Sequence, residues 1–247
     1  MRFIPVAKPN ISIAEASAVF QVIKNGWISM GKKVNQFEKN ISKFTNVKYV
    51  VAMNNGTSTL DALLTALDIS KDDEVIVPNL TYISTANVVS YKKAKLVLCD
   101  SDRDTFNTTK EKIEKRITKK TKLIIVTDMK GMPVDYDAIK LITKKYKIPI
   151  IADSAESLGA KYKNKQVGNQ CLAHSFSLFA NKNITTGEGG LIVTNNYKLY
   201  KKLKIIRNQG QTSRYNHILL GNNYRMTDIQ ATIGVVQLRK LNKIIKE

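Results

Sequence analysis

One lysine in this chain of 247 residues stands where an amine can do covalent chemistry. The stretch Ser175-Phe-Ser-Leu-Phe-Ala-Asn-Lys-Asn-Ile-Thr-Thr-Gly-Glu-Gly-Gly190 runs from a short apolar alternation into a glycine-rich turn, with Lys182 between two asparagines. An amine held between a buried strand and a turn is open to desolvation. Desolvation favours the neutral, nucleophilic form that captures an aldehyde cofactor as a Schiff base. The competing reading is a solvated loop lysine, the ordinary state of most of the 40 Lys and Arg residues. Upstream, Ile148-Pro-Ile-Ile-Ala-Asp153 reads as an apolar strand that delivers a carboxylate at its C-terminal end. Ligand groups gather there in open α/β sheets. A carboxylate facing a pyridine nitrogen keeps it protonated and makes the ring an electron sink, the partner that lysine-linked pyridoxal phosphate requires. Alone, Asp153 reads as a helix N-cap; paired with Lys182, it reads as part of a cofactor site.

The elements that must position these groups follow from periodicity. A Ser12-x-x-Glu15 capping box predicts a helix that runs from 12 to a stop at Gly26, and Val34, Phe37, Ile41 and Phe44 at helical spacing predict a second helix with that stripe buried. Residues 49–53 read as a strand, 54–58 as a tight turn and 59–67 as a helix. A helix N-terminus with a glycine and two hydroxyl residues, Gly56, Thr57 and Ser58, offers N–H groups and the positive end of the dipole to a phosphate monoester. By itself Gly-Thr-Ser is equally a simple cap. Further strands are expected at 74–77, ended by Pro78, and at 95–99, 122–127, 148–152, 173–178 and 191–194, with helices at 84–91, around Ile113, at 197–207 and from 228 to about 244. Those at 95–99 and 122–127 are expected to be buried. Seven strands alternating mostly with helices imply an α/β protein with a largely parallel or mixed sheet covered on both faces.

Composition limits the alternatives. A hydrophobic share of 43% over this length supports one large domain. Cys99 and Cys171 are far apart and His174 and His217 are isolated, so no metal-ligand spacing exists and free thiols in a reducing compartment are expected. No run reaches the ~18 apolar residues of a membrane span, and the N-terminus lacks a signal-peptide core, which together point to the cytoplasm and no membrane. The formal charge of +20 keeps a basic nucleic-acid-binding or regulatory protein open as a rival. Its lysines fall in small clusters beside helices and turns, without interleaved aromatics, so no specific nucleic-acid site is read.

The chain resembles the pyridoxal-phosphate-dependent sugar-nucleotide aminotransferases of the DegT/DnrJ group, with the aspartate-aminotransferase-like fold (fold type I). The likeness runs through Ile4-Pro-Val-Ala-Lys-Pro9, Gly26-Trp-Ile-Ser-Met-Gly31, Asn55-Gly-Thr-Ser58, the Lys182 stretch and Gly221-Asn-Asn-Tyr-Arg-Met-Thr-Asp228, and is closest to a perosamine-synthase-like branch of 4-aminotransferases. The resemblance implies pyridoxal 5′-phosphate attached to Lys182, Asp153 at the ring nitrogen, Tyr82 stacked on the ring and Glu156 beside the phenolic oxygen. It implies Gly56, Thr57, Ser58 and Ser177 at the phosphate, with Asn223 reaching the same group across a homodimer. It puts Trp27, Ser29 and His217 on the substrate side; simple packing remains the other reading of Trp27. The implied donor is L-glutamate and the implied acceptor a nucleotide-linked keto-deoxysugar, GDP-4-keto-6-deoxymannose first. A dehydratase or isomerase on the same scaffold stays open, although dehydrating relatives replace the lysine with histidine. In Val126-Thr-Asp-Met-Lys-Gly131 the chain departs from the family, with Asp128 and Lys130 in place of a histidine and an aromatic. Residues 1–247 are expected to form the large cofactor domain, a fragment whose helix from 228 leads toward a smaller C-terminal domain.

Overall fold

The computed structural model describes residue 5 and residues 7–246. The stretch 4–9 used above therefore lies partly outside the described residues. In chain order the first half contains α1 (Ile13–Lys24), α2 (Lys32–Thr45), β1 (Tyr49–Met53), α3 (Gly56–Ala66), β2 (Glu74–Pro78), α4 (Ile83–Tyr91), β3 (Lys95–Cys99), α5 (Lys110–Glu114) and β4 (Thr121–Thr127). The second half contains α6 (Tyr136–Tyr146), β5 (Ile150–Asp153), β6 (Lys161–Tyr162), β7 (Lys165–Gln166), β8 (Ala173–Ser177), β9 (Gly190–Thr194), α7 (Tyr197–Arg207), β10 (Gln211–Ser213), β11 (Asn216–His217) and α8 (Asp228–Ile244).

A seven-stranded sheet runs in the order β1-β9-β8-β5-β4-β2-β3. Strand β9 is antiparallel to β1 and β8, and the remaining neighbours are parallel. Alternation along each strand divides the core between two faces. Val51, Ile125, Ile151 and Ala173 pack under α3, α4 and α7. Val50, Ala52 and Phe176 pack under α2 and α8, and Ile124, Val126, Ile150 and Ala152 under α5 and α6.

Local signals explain most element ends. Ser12 N–H donates to Glu15 Oε2 at 2.9 Å in the expected capping box. Helix α3 begins three residues before the expected 59 because Asn55 Oδ1 accepts from Ser58 N–H at 2.8 Å, which makes Gly-Thr-Ser the first helical turn. Strand β5 begins at Ile150, two residues later than expected, since Pro149 has no N–H to give the ladder. Strand β3 is not buried as expected: it is the sheet's edge, and Leu98 is 49% exposed. The hairpins β6–β7 and β10–β11 were not foreseen, being too short for period-two alternation to register.

Helix α2 buries Val34, Phe37 and Ile41 fully, with Phe44 half-buried beside them. Its N-terminus has no side-chain cap of its own. Asp228, at the start of α8 and 197 residues from Gly31, supplies the missing acceptor, taking N–H bonds from Gly31 at 2.8 Å and Val34 at 3.0 Å. Glu15 joins α1 to α8 through Lys240 Nζ at 2.6 Å and Gln237 Nε2 at 2.8 Å. Burial alone would raise its carboxyl, but bonds from Lys240, Gln237 and Ser12 outweigh that and hold it at about 2.

The α2–α8 contact depends on Gly234, where an added Cβ would lie 2.6 Å from the Phe37 ring. Gly234→Ala should therefore cost about 1–3 kcal/mol of stability, as overpacking does. Urea denaturation checks this; Phe37→Leu in the same background should recover part of the loss, and a Gly234→Ala midpoint equal to wild type would contradict the packing described.

Candidate active site

The sheet register lines up polar residues at the C-terminal strand ends. Thr127 pairs with Asp153 and Asp153 with Ser175 across β4, β5 and β8. These three follow Ile125, Ile151 and Ala173, so alternation turns them to the α3/α4 face. Above them opens a cleft of about 780 Å³, lined among others by Gly56, Thr57, Tyr82, Glu156, Ser177 and Lys182.

Asp153 is 4% exposed. Its Oδ2 accepts from Thr85 Oγ1 at 2.6 Å and its Oδ1 from Ala155 N–H at 3.1 Å. Burial pushes its carboxyl up, while these two bonds pull it down. No cation touches it among the described residues. It is a buried carboxylate at a cleft surface, suited to a ligand's positive N–H.

Lys182 reaches the same cleft, but not into the desolvating apolar surroundings its sequence context suggested. It is half-buried, and its Nζ meets Glu156 Oε1 at 3.2 Å. The turn after β8 brings it back over the segment following β5, where a carboxylate awaits it. Glu156 also accepts the Lys130 N–H through Oε2 at 3.1 Å, which ties the loop after β4 to the lysine.

A third wall is the start of α3. The first-turn N–H groups of Gly56 and Thr57 have no partner among the described hydrogen bonds. Gly56 lies so close to Ser177 that a Cβ there would sit 3.1 Å from the serine's own. Ser177 Oγ accepts from Phe179 N–H at 3.3 Å, which leaves its proton for another acceptor. Ser58 is arranged differently: its hydroxyl turns back to Asn54 Oδ1 at 2.6 Å and Asn55 O at 2.8 Å, and its N–H is taken by the Asn55 cap. The anion donors supported here are therefore Gly56, Thr57 and Ser177.

Tyr82 lines the cleft and is 74% exposed. Trp27, Ser29, His217 and Asn223 do not line it. The Trp27 Nε1–H donates to Met30 O at 3.4 Å, the Ser29 carbonyl accepts from Asp228 N–H at 3.1 Å, and His217 Nδ1 lies 2.8 Å from Gln209 O. Asn223 is exposed and bridges to Asn208.

On the opposite face of the same strand ends lies a second polar row, which the sequence reading missed apart from flagging Asp128. Asp128 is almost fully buried and accepts from Tyr136 OH at 2.7 Å, Ser154 Oγ at 2.6 Å, Ser157 Oγ at 2.9 Å and Val134 N–H at 3.1 Å. Burial nevertheless pushes its carboxyl up. The Gln170 N–H donates to His174 Nε2 at 3.2 Å, so the neutral ring carries its proton on Nδ1, directed at Ser154 Oγ 2.9 Å away. Full burial lowers His174 to about 3. Thr81, Thr85 and Thr127 were missed as well, although the i, i+4 spacing of Thr81 and Thr85 was a usable signal.

An open, mostly parallel sheet with a lysine, a buried carboxylate and a helix N-terminus around one cleft defines a protein of the pyridoxal-phosphate fold type I class. The family model described as the DegT/DnrJ/EryC1/StrS aminotransferase family matches residues 9–247, and the chain belongs to that family. It is 42% identical over 243 residues to a GDP-perosamine synthase of Caulobacter vibrioides, an alignment covering 97% of this chain and 66% of that protein. A solved sugar aminotransferase from Streptococcus pneumoniae in its PLP form superposes with a TM-score of 0.93 at 32% identity, over 98% of this chain and 68% of the other. The GDP-4-keto-6-deoxy-D-mannose-3-dehydratase of E. coli with bound hydrated PLP superposes at 0.94 with 28% identity, over 100% and 70%. Pyridoxal phosphate is thus the cofactor to test against the cleft. Asp153 without a cation, the unpartnered N–H groups of Gly56 and Thr57, and the Lys182 amine match its ring nitrogen, phosphate and aldehyde.

His174 gives a pH test of the buried row. The unfolded chain protonates it near its ordinary value of 6.5, the folded chain only near 3. Between these values the unfolded state binds more protons, so the histidine's contribution is complete above about 6.5 and declines as the pH falls toward 3. From pH 7 to 4 wild type should lose about 2–3 kcal/mol more than His174→Gln in urea titrations; parallel pH profiles would contradict the neutral buried ring.

Proposed function

We propose that residues 1–247 act as the pyridoxal-phosphate-binding large domain of a sugar-nucleotide aminotransferase. It moves the amino group of L-glutamate to a nucleotide-linked keto-deoxysugar, with GDP-4-keto-6-deoxymannose the acceptor suggested by the likeness to a GDP-perosamine synthase. The observation that carries this reading is the convergence of Lys182, Asp153 and the α3 N-terminus on one cleft.

When bound, pyridoxal phosphate supplies an electron sink for the pair left as the donor's Cα–H bond breaks. The chain's residues do the rest. Asp153 holds a proton on the ring nitrogen. Gly56, Thr57 and Ser177 hold the phosphate, with the α3 dipole favouring its charge. Lys182 Nζ would hold the aldehyde carbon until the donor's own amine displaces it, and the freed amine would carry the proton from the donor's Cα to the cofactor carbon, a role that general acid–base catalysis assigns to a positioned amine. Glu156, within 3.2 Å of that amine, is placed to orient it. Tyr82 covers the ring face.

The reading extends to a homodimer in which Asn223 reaches the phosphate of the other copy and Trp27, Ser29 and His217 serve the sugar substrate. The reading places the chain in the cytoplasm, a reducing setting that suits the free thiols Cys99 and Cys171. The dehydratase neighbour shares the scaffold, but the lysine at 182 favours amino transfer.

Borohydride treatment of the chain loaded with pyridoxal phosphate should fix the cofactor on the peptide containing Lys182, read by mass mapping, and Lys182→Ala should abolish that label. Labelling at a different lysine would overturn the assignment. The same substitution should slow the half-reaction with L-glutamate by at least about a hundredfold, the scale of a lost general base. Glutamate-dependent loss of the cofactor's visible absorbance, restored by the keto-sugar nucleotide, tests the substrates.

A further inference from the structure

Beneath Asp153 runs a line of three hydroxyls for which the reaction above has no role. Thr85 Oγ1 lies 2.6 Å from Asp153 Oδ2, Thr81 Oγ1 lies 3.0 Å from Thr85 Oγ1, and Thr127 Oγ1 lies 3.1 Å from Thr81 Oγ1. Each hydroxyl has one proton and can accept as well as donate. An ionised carboxylate only accepts, so the Thr85 proton belongs to Asp153. Thr85 then accepts from Thr81, and Thr81 accepts from Thr127. The direction of the whole chain follows from its last member.

Two consequences follow. Hydrogen bonds in a chain polarise one another, so the bond reaching Asp153 is stronger than an isolated hydroxyl would make. Thr81 and Thr127 also line the cleft, and with their protons directed along the chain they offer a ligand lone pairs only. A wall of acceptors around a buried carboxylate favours a protonated ring nitrogen over a bare one. Thr85 is fully buried and does not line the cleft, so it acts through Asp153.

We propose that Thr85 is a positioning residue: through the one-way chain Thr127, Thr81, Thr85 it fixes Asp153, ionised, at the cleft surface for a protonated ring nitrogen. This rests on the reading that Asp153 serves the nitrogen of pyridoxal phosphate. It adds that the charge state of that site is set in part from α4, by Thr85, a hydroxyl that no ligand touches.

The test compares dissociation constants of the 247-residue chain for pyridoxal phosphate and for its carbocyclic analogue, in which C–H replaces the ring nitrogen. Thr85→Val keeps the shape and removes the hydroxyl; it should weaken pyridoxal phosphate about tenfold, the scale of a hydrogen bond to a charged group, and leave the analogue unchanged. Thr85→Ser should stay within about twofold of wild type. If Thr85→Val weakens both ligands equally, or Thr85→Ser fails to restore binding, its role is packing and the proposal falls. If Thr85→Val binds as wild type while Asp153→Asn is weakened, the proposal falls and the role of Asp153 stands. If Asp153→Asn itself binds as wild type, the underlying reading falls. Should Thr85→Val not fold, Thr81→Val removes the next link; it should weaken pyridoxal phosphate by about threefold, selectively over the analogue, and unchanged affinity would overturn the chain.

Discussion

The register of three parallel strands is the constraint on which the site depends. Pairing Thr127 with Asp153 and Asp153 with Ser175 puts three polar side chains in one row on the α3/α4 face. Because side chains alternate with a period of two, a slip of one residue in β5 would carry Asp153 to the opposite face and bring Ala152 or Ser154, neither of them a carboxylate, to the cleft. The helices of that face answer the row: Thr85 of α4 bonds Asp153, and Thr59 of α3 lies 2.5 Å from Ser175 Oγ.

The same alternation builds a second row one residue out of phase, and the two rows differ in how completely their carboxylates are satisfied. Asp128 receives a backbone N–H, the Tyr136 phenol and two serine hydroxyls, and His174 extends the network inward. A buried carboxylate so surrounded is structural: its lone pairs are occupied and nothing further is needed. Both carboxylates border the cleft, but Asp153 has only two donors. In a medium where an unpaired charge is costly, that difference separates a group that braces the sheet end from one that waits for a ligand.

Long-range polar contacts hold the frame around the rows. Arg207 of α7 pairs with Glu38 of α2, and both bond the main chain of Ala52 in β1, the arginine at its carbonyl and the glutamate at its N–H. Removing one member would leave the other buried and uncompensated, which is why such pairs are costly to break even when they add little in total. Asp228 capping α2 and Glu15 clasping α8 fix the helices opposite α3 and α4, and the Arg207–Glu38 pair ties that layer to α7 on the cleft side.

Sequence by itself determined the elements and the chemical types. Period-two and period-3.6 patterns, the Ser12 cap and the Gly26 stop act over a few residues, so the seven strands and the helices α1 to α5, α7 and α8 were legible from local physics. A lysine after one strand, a carboxylate ending another and a Gly-Thr-Ser turn identified the class of site, because each needs only its own neighbours to be recognised. Pairings between distant residues were not legible. The salt bridge of Lys182 to Glu156, the Asp128 network, the Asp228 cap and the edge position of β3 are decided by strand order and register. The separations reach 26 residues from Lys182 to Glu156 and 197 from Asp228 to Gly31. Burial and hydrogen-bond partners arise only when the sheet closes those separations, and no local pattern encodes which of two carboxylates will be left with a free edge.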